Sequence, residues 1–282
     1  MCDEKHFDED MKRYSRREVG ALAAAGVGAA MFLPSIANAQ EVSGKDVSIK
    51  TPDGECDAYL VSPKEGKYPA VLVWPDIFGL RPAFRGMAVR LAQSGYTVLV
   101  VNPFYRSKKA PTAPEGTSTP IGDVRPLAQG LNPTTHVTDA KAFVAWLDEQ
   151  PSVDTSKKIG TTGYCMGGAI VMRTAAAIPE RIGAAGTFHG GGLASNDANS
   201  PHLLIPKMKA QFLIAIAEND DERDPEAKET LKKAFAENNL KAEIEVYPAG
   251  HGWCPTDTRV HNPEQAERAW KRMLELFSNA LS

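Results

Sequence analysis

Residues 158–177 read Lys158-Ile159-Gly160-Thr161-Thr162-Gly163-Tyr164-Cys165-Met166-Gly167-Gly168-Ala169-Ile170-Val171-Met172-Arg173-Thr174-Ala175-Ala176-Ala177. The stretch 158–162 predicts a strand, and the apolar run 169–177, closed by Pro179, predicts a helix. Between them Gly163-x-Cys165-x-Gly167 matches the G-x-S-x-G strand-to-helix elbow, with cysteine in the serine place. Such an elbow demands its glycines, because the turn is tight, its central residue is strained and strand and helix come close. Cys165 then stands at a helix N-terminus, whose dipole favours thiolate over thiol. The competing reading is a buried structural cysteine in a glycine-rich turn.

Outward from this elbow the chain keeps alternating strand and helix. Residues 47–50 and 56–61 flank the turn Pro52-Asp53-Gly54 and read as an edge hairpin, whereas 70–74 and 97–101 are continuous apolar runs suited to buried parallel strands. Phe84, Met87, Ala88 and Leu91 share one helical face between those two runs. Further helices are predicted over 138–147, 226–238 and 264–281, with strands over 184–188, 211–217 and 242–247. The fold class is therefore α/β, with a mostly parallel central sheet covered by helices on both faces. Residues 107–133, rich in Pro, Gly, Thr and Ser, show no period and are expected to form a long loop or lid.

The 282 residues are 43% hydrophobic and 24% charged, with a formal net charge of −3. That is ordinary globular composition without the basic footprint of a nucleic-acid binder. Four cysteines, Cys2, Cys56, Cys165 and Cys254, lack the paired spacing of a zinc or dithiol motif. The N-terminal 39 residues differ from the rest. Ser15-Arg16-Arg17 precedes an apolar run over 19–33, then Pro34 and Ala37-Asn38-Ala39. This pattern predicts a twin-arginine export signal cleaved after Ala39, since a membrane span needs roughly 20 apolar residues. Residues 40–282 are then one domain, expected to be a periplasmic or secreted monomer, free of the membrane, whose partner in biogenesis is the twin-arginine export machinery.

A thiolate nucleophile needs a base, and His251 lies in Pro248-Ala249-Gly250-His251-Gly252, just after the last predicted strand. The carboxyl edge of a parallel sheet is where ligands bind. After the strand 211–217 comes Glu218-Asn219-Asp220-Asp221, and a carboxylate there would orient the imidazole. Asp220 falls at the expected spacing, with Asp221 as the competing neighbour. The order Cys165, Asp220, His251 is the nucleophile, acid, histidine order of the α/β-hydrolase fold.

With these residues in place the sequence resembles the dienelactone hydrolase (carboxymethylenebutenolidase) family over about 47–281, most specifically at Gly163-Tyr164-Cys165-Met166-Gly167-Gly168. The resemblance implies hydrolysis of small esters or lactones by a Cys-Asp-His triad through a thioester, with no metal or organic cofactor. It implies a thiol-modulating carboxylate at Asp76 in Trp74-Pro75-Asp76-Ile77-Phe78-Gly79-Leu80, where the family has glutamate. It further implies an oxyanion hole from the backbone N–H groups of Ile77 and Met166, and a substrate-carboxylate anchor at Arg106 in Asn102-Pro103-Phe104-Tyr105-Arg106. The family's second arginine, shortly after the histidine, has no match in His251-Gly252-Trp253-Cys254-Pro255. His189-Gly190-Gly191-Gly192 spells a lipase oxyanion motif but follows Cys165, so it is read as a place of close backbone approach. The alternative function is a non-catalytic homologue that binds an acidic small molecule or a partner protein.

Overall fold

A computed structural model describes residues 39–281. The export signal read over 1–39 lies outside the described residues except for Ala39. Among the described residues no helix is long and apolar enough to cross a membrane.

The strands are β1 (Val42–Thr51), β2 (Gly54–Pro63), β3 (Ala70–Trp74), β4 (Thr97–Val101), β5 (Ile159–Tyr164), β6 (Ile182–Phe188), β7 (Gln211–Ala217) and β8 (Ala242–Tyr247). The helices are α1 (Pro82–Gln93), α2 (Ile121–Gln129), α3 (Pro133–Asp148), α4 (Met166–Ala177), α5 (Glu218–Arg223), α6 (Pro225–Glu237) and α7 (Pro263–Ala280). The strands form one sheet in the order β1-β2-β4-β3-β5-β6-β7-β8. The β1/β2 and β2/β4 pairs are antiparallel and the others are parallel.

The apolar runs are continuous because the inner strands bury both faces. Leu72 and Trp74 of β3 join Phe143 of α3 and Ile170 of α4 in one core, while Val71 and Val73 join Phe84 of α1 and Phe277 of α7 in the other. Cys56 and Cys254 are unbridged thiols assigned to these two different cores. Burial pushes both thiols up, so neither is poised to react.

Strand order reverses around β3, whose successor β4 lies on one side and β5 on the other. At such a switch point the connections leave in opposite directions and open a crevice at the carboxyl ends of the strands. Ile77 follows β3 and Cys165 follows β5, so both emerge at that crevice.

The segment 107–133 departs from the expected loop by forming α2 over its second half. Nine residues with Pro126 inside leave too short a pattern for a helical period to register. Its Ile121 and Val124 bury against Phe78, so the helix forms where it can cover the loop after β3. The following helix starts at Pro133, earlier than the apolar pattern suggested, because Asn132 and Thr135 make a reciprocal capping box.

His136, in the first turn of α3, is buried without a hydrogen-bond partner at either ring nitrogen among the described residues. Burial, reinforced by Arg173 and Arg106, pulls its pKa down to about 3. A folded-state pKa below the unfolded value means stability is present above about 6.5 and is lost as pH falls towards 3, because the unfolded chain takes up the proton first. His136→Leu should flatten that acid limb in urea titrations between pH 7 and 4; an unchanged slope would refute this origin.

Candidate active site

The elbow is built by backbone proximity. Cys165 has φ 53° and ψ −116°, between the last residue of β5 and the first of α4. A Cβ on Gly163 would lie 2.2 Å from the Gly167 carbonyl oxygen, and one on Gly167 would lie 2.4 Å from that of Trp74. Both positions therefore require glycine, and the second presses the elbow against the loop that carries Ile77. Met166 opens α4, where the first amides lack an intrahelical acceptor, so its N–H is placed to serve an anion beside Cys165.

Asp220 and His251 meet beyond the ends of β7 and β8. Asp220 Oδ2 is 2.6 Å from His251 Nδ1, and the His251 amide donates to Asn219 Oδ1 at 2.8 Å. Asp221 instead accepts from Lys228 Nζ at 2.7 Å and ties α5 to α6. Geometry thus separates the two adjacent aspartates: Asp220 meets the imidazole and Asp221 does not. Asn219, whose side chain holds the histidine loop in place, carries no signal in the sequence beyond its position between Ala217 and Asp220.

Asp76 has a different partner from the one expected. Its carboxylate receives two hydrogen bonds from Arg81, at 2.6 and 2.9 Å, and one from the Phe78 amide at 2.9 Å. Arg81 also donates to Asp257 from Nε at 2.6 Å and from Nη2 at 3.0 Å. Burial alone would lower the pKa of Arg81, but Asp76 and Asp257 outweigh it and push it upward. One buried guanidinium therefore joins the Ile77 loop to the loop after His251. In this structure the Asp76 carboxylate is therefore paired with a full positive charge, and its expected role towards the Cys165 thiol stays an expectation.

Arg106 likewise has partners of its own in this structure. Its guanidinium is taken by Asp139 at 2.8 and 2.7 Å and by Asp53 at 3.0 and 2.6 Å. Arg106 thus ties the β1–β2 turn to α3, and a substrate carboxylate would have to displace one of these partners. Arg106→Ala should lower Tm by several degrees, since it strands buried Asp139, and leave KM within about twofold for esters with and without a carboxylate. A tenfold rise in KM confined to the carboxylate-bearing ester would establish the anchor role.

The His189-Gly190-Gly191-Gly192 stretch behaves as read. A Cβ on Gly168 would lie 2.9 Å from the Gly190 Cα, so this turn packs directly on the start of α4.

A strained residue between β5 and α4, an aspartate after β7 and a histidine after β8, on this sheet order, define an α/β-hydrolase. The chain belongs to the dienelactone hydrolase family, whose model matches residues 56–281. It is 28% identical over 242 residues to the carboxymethylenebutenolidase of Rhodococcus opacus, covering 83% of this chain and 90% of the relative. It is 30% identical over 241 residues to a candidate carboxymethylenebutenolidase of Escherichia coli K12, covering 82% and 84%. A crystal structure of a candidate dienelactone hydrolase from Klebsiella pneumoniae superposes with a TM-score of 0.71 at 26% identity, covering 85% of this chain and 99% of the other.

Proposed function

We propose that this protein hydrolyses small, uncharged esters or lactones through a thioester on Cys165. The thiolate attacks the carbonyl carbon, and the oxyanion is received by the Ile77 and Met166 amides. His251, oriented by Asp220, takes the proton of the Cys165 thiol as the thiolate forms and gives it to the departing alkoxide. It then takes a proton from water as that water attacks the thioester, releasing the acid and restoring the thiol. The observation that carries this reading is the 2.6 Å contact of Asp220 with His251 on the same sheet edge as the strained Cys165. The engagement of Arg106 by two carboxylates favours uncharged substrates over acidic ones.

A panel of p-nitrophenyl esters and unsaturated lactones, with and without a carboxylate, tests the proposal. Turnover is expected with no gain from the carboxylate; a strong preference for acidic substrates would overturn the substrate class, and no turnover at all would leave the binding-protein reading. Export is proposed on Arg16-Arg17 and Ala37-Asn38-Ala39 alone, and the intact mass of protein recovered from the expressing cell's envelope checks cleavage after Ala39.

A further inference from the structure

His189 belongs to neither the nucleophile nor the base, yet it touches both. It is fully buried, and its Nδ1 accepts the backbone N–H of Cys165 at 3.1 Å, a proton shared with the Phe188 carbonyl at the same distance. Its ring stands edge-to-face against His251, with centroids 5.2 Å apart, and against Trp253 at 5.1 Å. Its own amide donates to the Ala215 carbonyl of β7 at 2.8 Å, the strand that leads to Asp220. The residue has φ 42°, a left-handed conformation that costs a non-glycine residue roughly 1 kcal/mol. A glycine would remove that strain and also the side chain, which is what reaches Cys165 and His251.

We propose that His189 is a positioning residue of this site, holding the Cys165 amide at Nδ1 and bracing the His251 ring so that thiol and base keep one relative geometry. This rests on the thiol-hydrolase reading above. Accepting at Nδ1 puts the ring proton on Nε2 and requires the uncharged imidazole. Burial, with His251 and Arg81 nearby, holds His189 well below the usual histidine range and keeps it in that form. The lipase-like spelling of the motif is thus used differently: its histidine supports the elbow, and its first glycine lets the turn approach α4.

Three substitutions separate this role from plain packing. His189→Phe keeps the ring and loses the acceptor. His189→Asn puts an amide oxygen near the Nδ1 position and tolerates positive φ, and His189→Gln carries its oxygen one atom too far. With p-nitrophenyl acetate, His189→Phe should lower kcat by roughly 10²-fold with KM within about twofold, the cost typical of a misplaced reacting group. His189→Asn should recover most of that loss and His189→Gln should not. The rate of Cys165 alkylation by iodoacetamide should follow the same order. Should His189→Phe not fold, the Asn and Gln pair carries the comparison, with thermal melts on each. An active wild type with His189→Asn no better than His189→Gln, or with every variant unaffected, overturns this inference alone. A wild type that alkylates at Cys165 but turns over no ester overturns the hydrolase reading, and the positioning role with it.

Discussion

Cys165→Ala should lower kcat/KM for any ester substrate by about 10⁴-fold or more while leaving the thermal midpoint close to that of the parent protein. The reason for the first is that the attacking atom itself is removed; His251 and the oxyanion amides remain but have no nucleophile to serve. The reason for the second lies in how the elbow is held. Its strain at φ 53° is maintained by backbone contacts of Gly163, Gly167 and Gly168 and by the Cys165 amide, none of which involves Sγ. Asp220→Asn should follow by about 10²- to 10⁴-fold, because the amide no longer stabilises the imidazolium. Asp221→Asn, which touches Lys228 instead, should retain near-parental turnover. Residual activity of Cys165→Ala above a hundredth of the parent rate would refute the thioester mechanism.

Arg81→Met should lower stability by about 3–5 kcal/mol, the usual result of removing one partner from a buried charge pair. For a domain of this size that corresponds to roughly 6–20 °C in Tm. The Arg81 side chain is 1% exposed, and its partners Asp76 and Asp257 are 6% and 18% exposed. Methionine conserves apolar volume beside Phe84, over whose ring the guanidinium sits at 4.8 Å, but leaves two carboxylates without their cation. Pairing it with Asp76→Asn should return part of the loss by removing the uncompensated charge. A Tm within about 2 °C of the parent would show that water or other groups already screen these carboxylates. The same substitution should depress turnover below the melting range, since Asp76 adjoins Ile77 and Asp257 follows His251 on its loop.

Much of the architecture could be read from local pattern. The apolar run 70–74 announced a strand buried on both faces, and Gly163 and Gly167 announced an elbow whose backbones touch. Short-range rules suffice there because side-chain alternation and turn sterics act over a few residues. The order of Cys165, Asp220 and His251 was legible for a related reason: each lies within a few residues of a strand's end, and the ends of parallel strands converge on one edge. Helix α2 was not legible, because its stability comes from Phe78, far away in sequence.

The charged side chains fall on the other side of that line. Asp76 and Arg106 each sit in a stretch resembling a family motif, and each is claimed by a different partner. Arg81 reaches Asp257 across 176 residues, and Arg106 bridges Asp53 and Asp139. Long, flexible ionic side chains take whatever opposite charge the folded chain brings within about 3 Å, and burial decides whether that pairing is firm. His189 is the same case without charge: its place in a glycine motif was visible in the sequence, but its grip on the Cys165 amide exists only because β6 runs beside β5. Sequence alone determined the strands, the elbow and the place of Cys165 within it. Which charged and buried polar groups pair around Cys165 was decided by tertiary structure, because hydrogen-bond and ion-pair partners are chosen by distance in space.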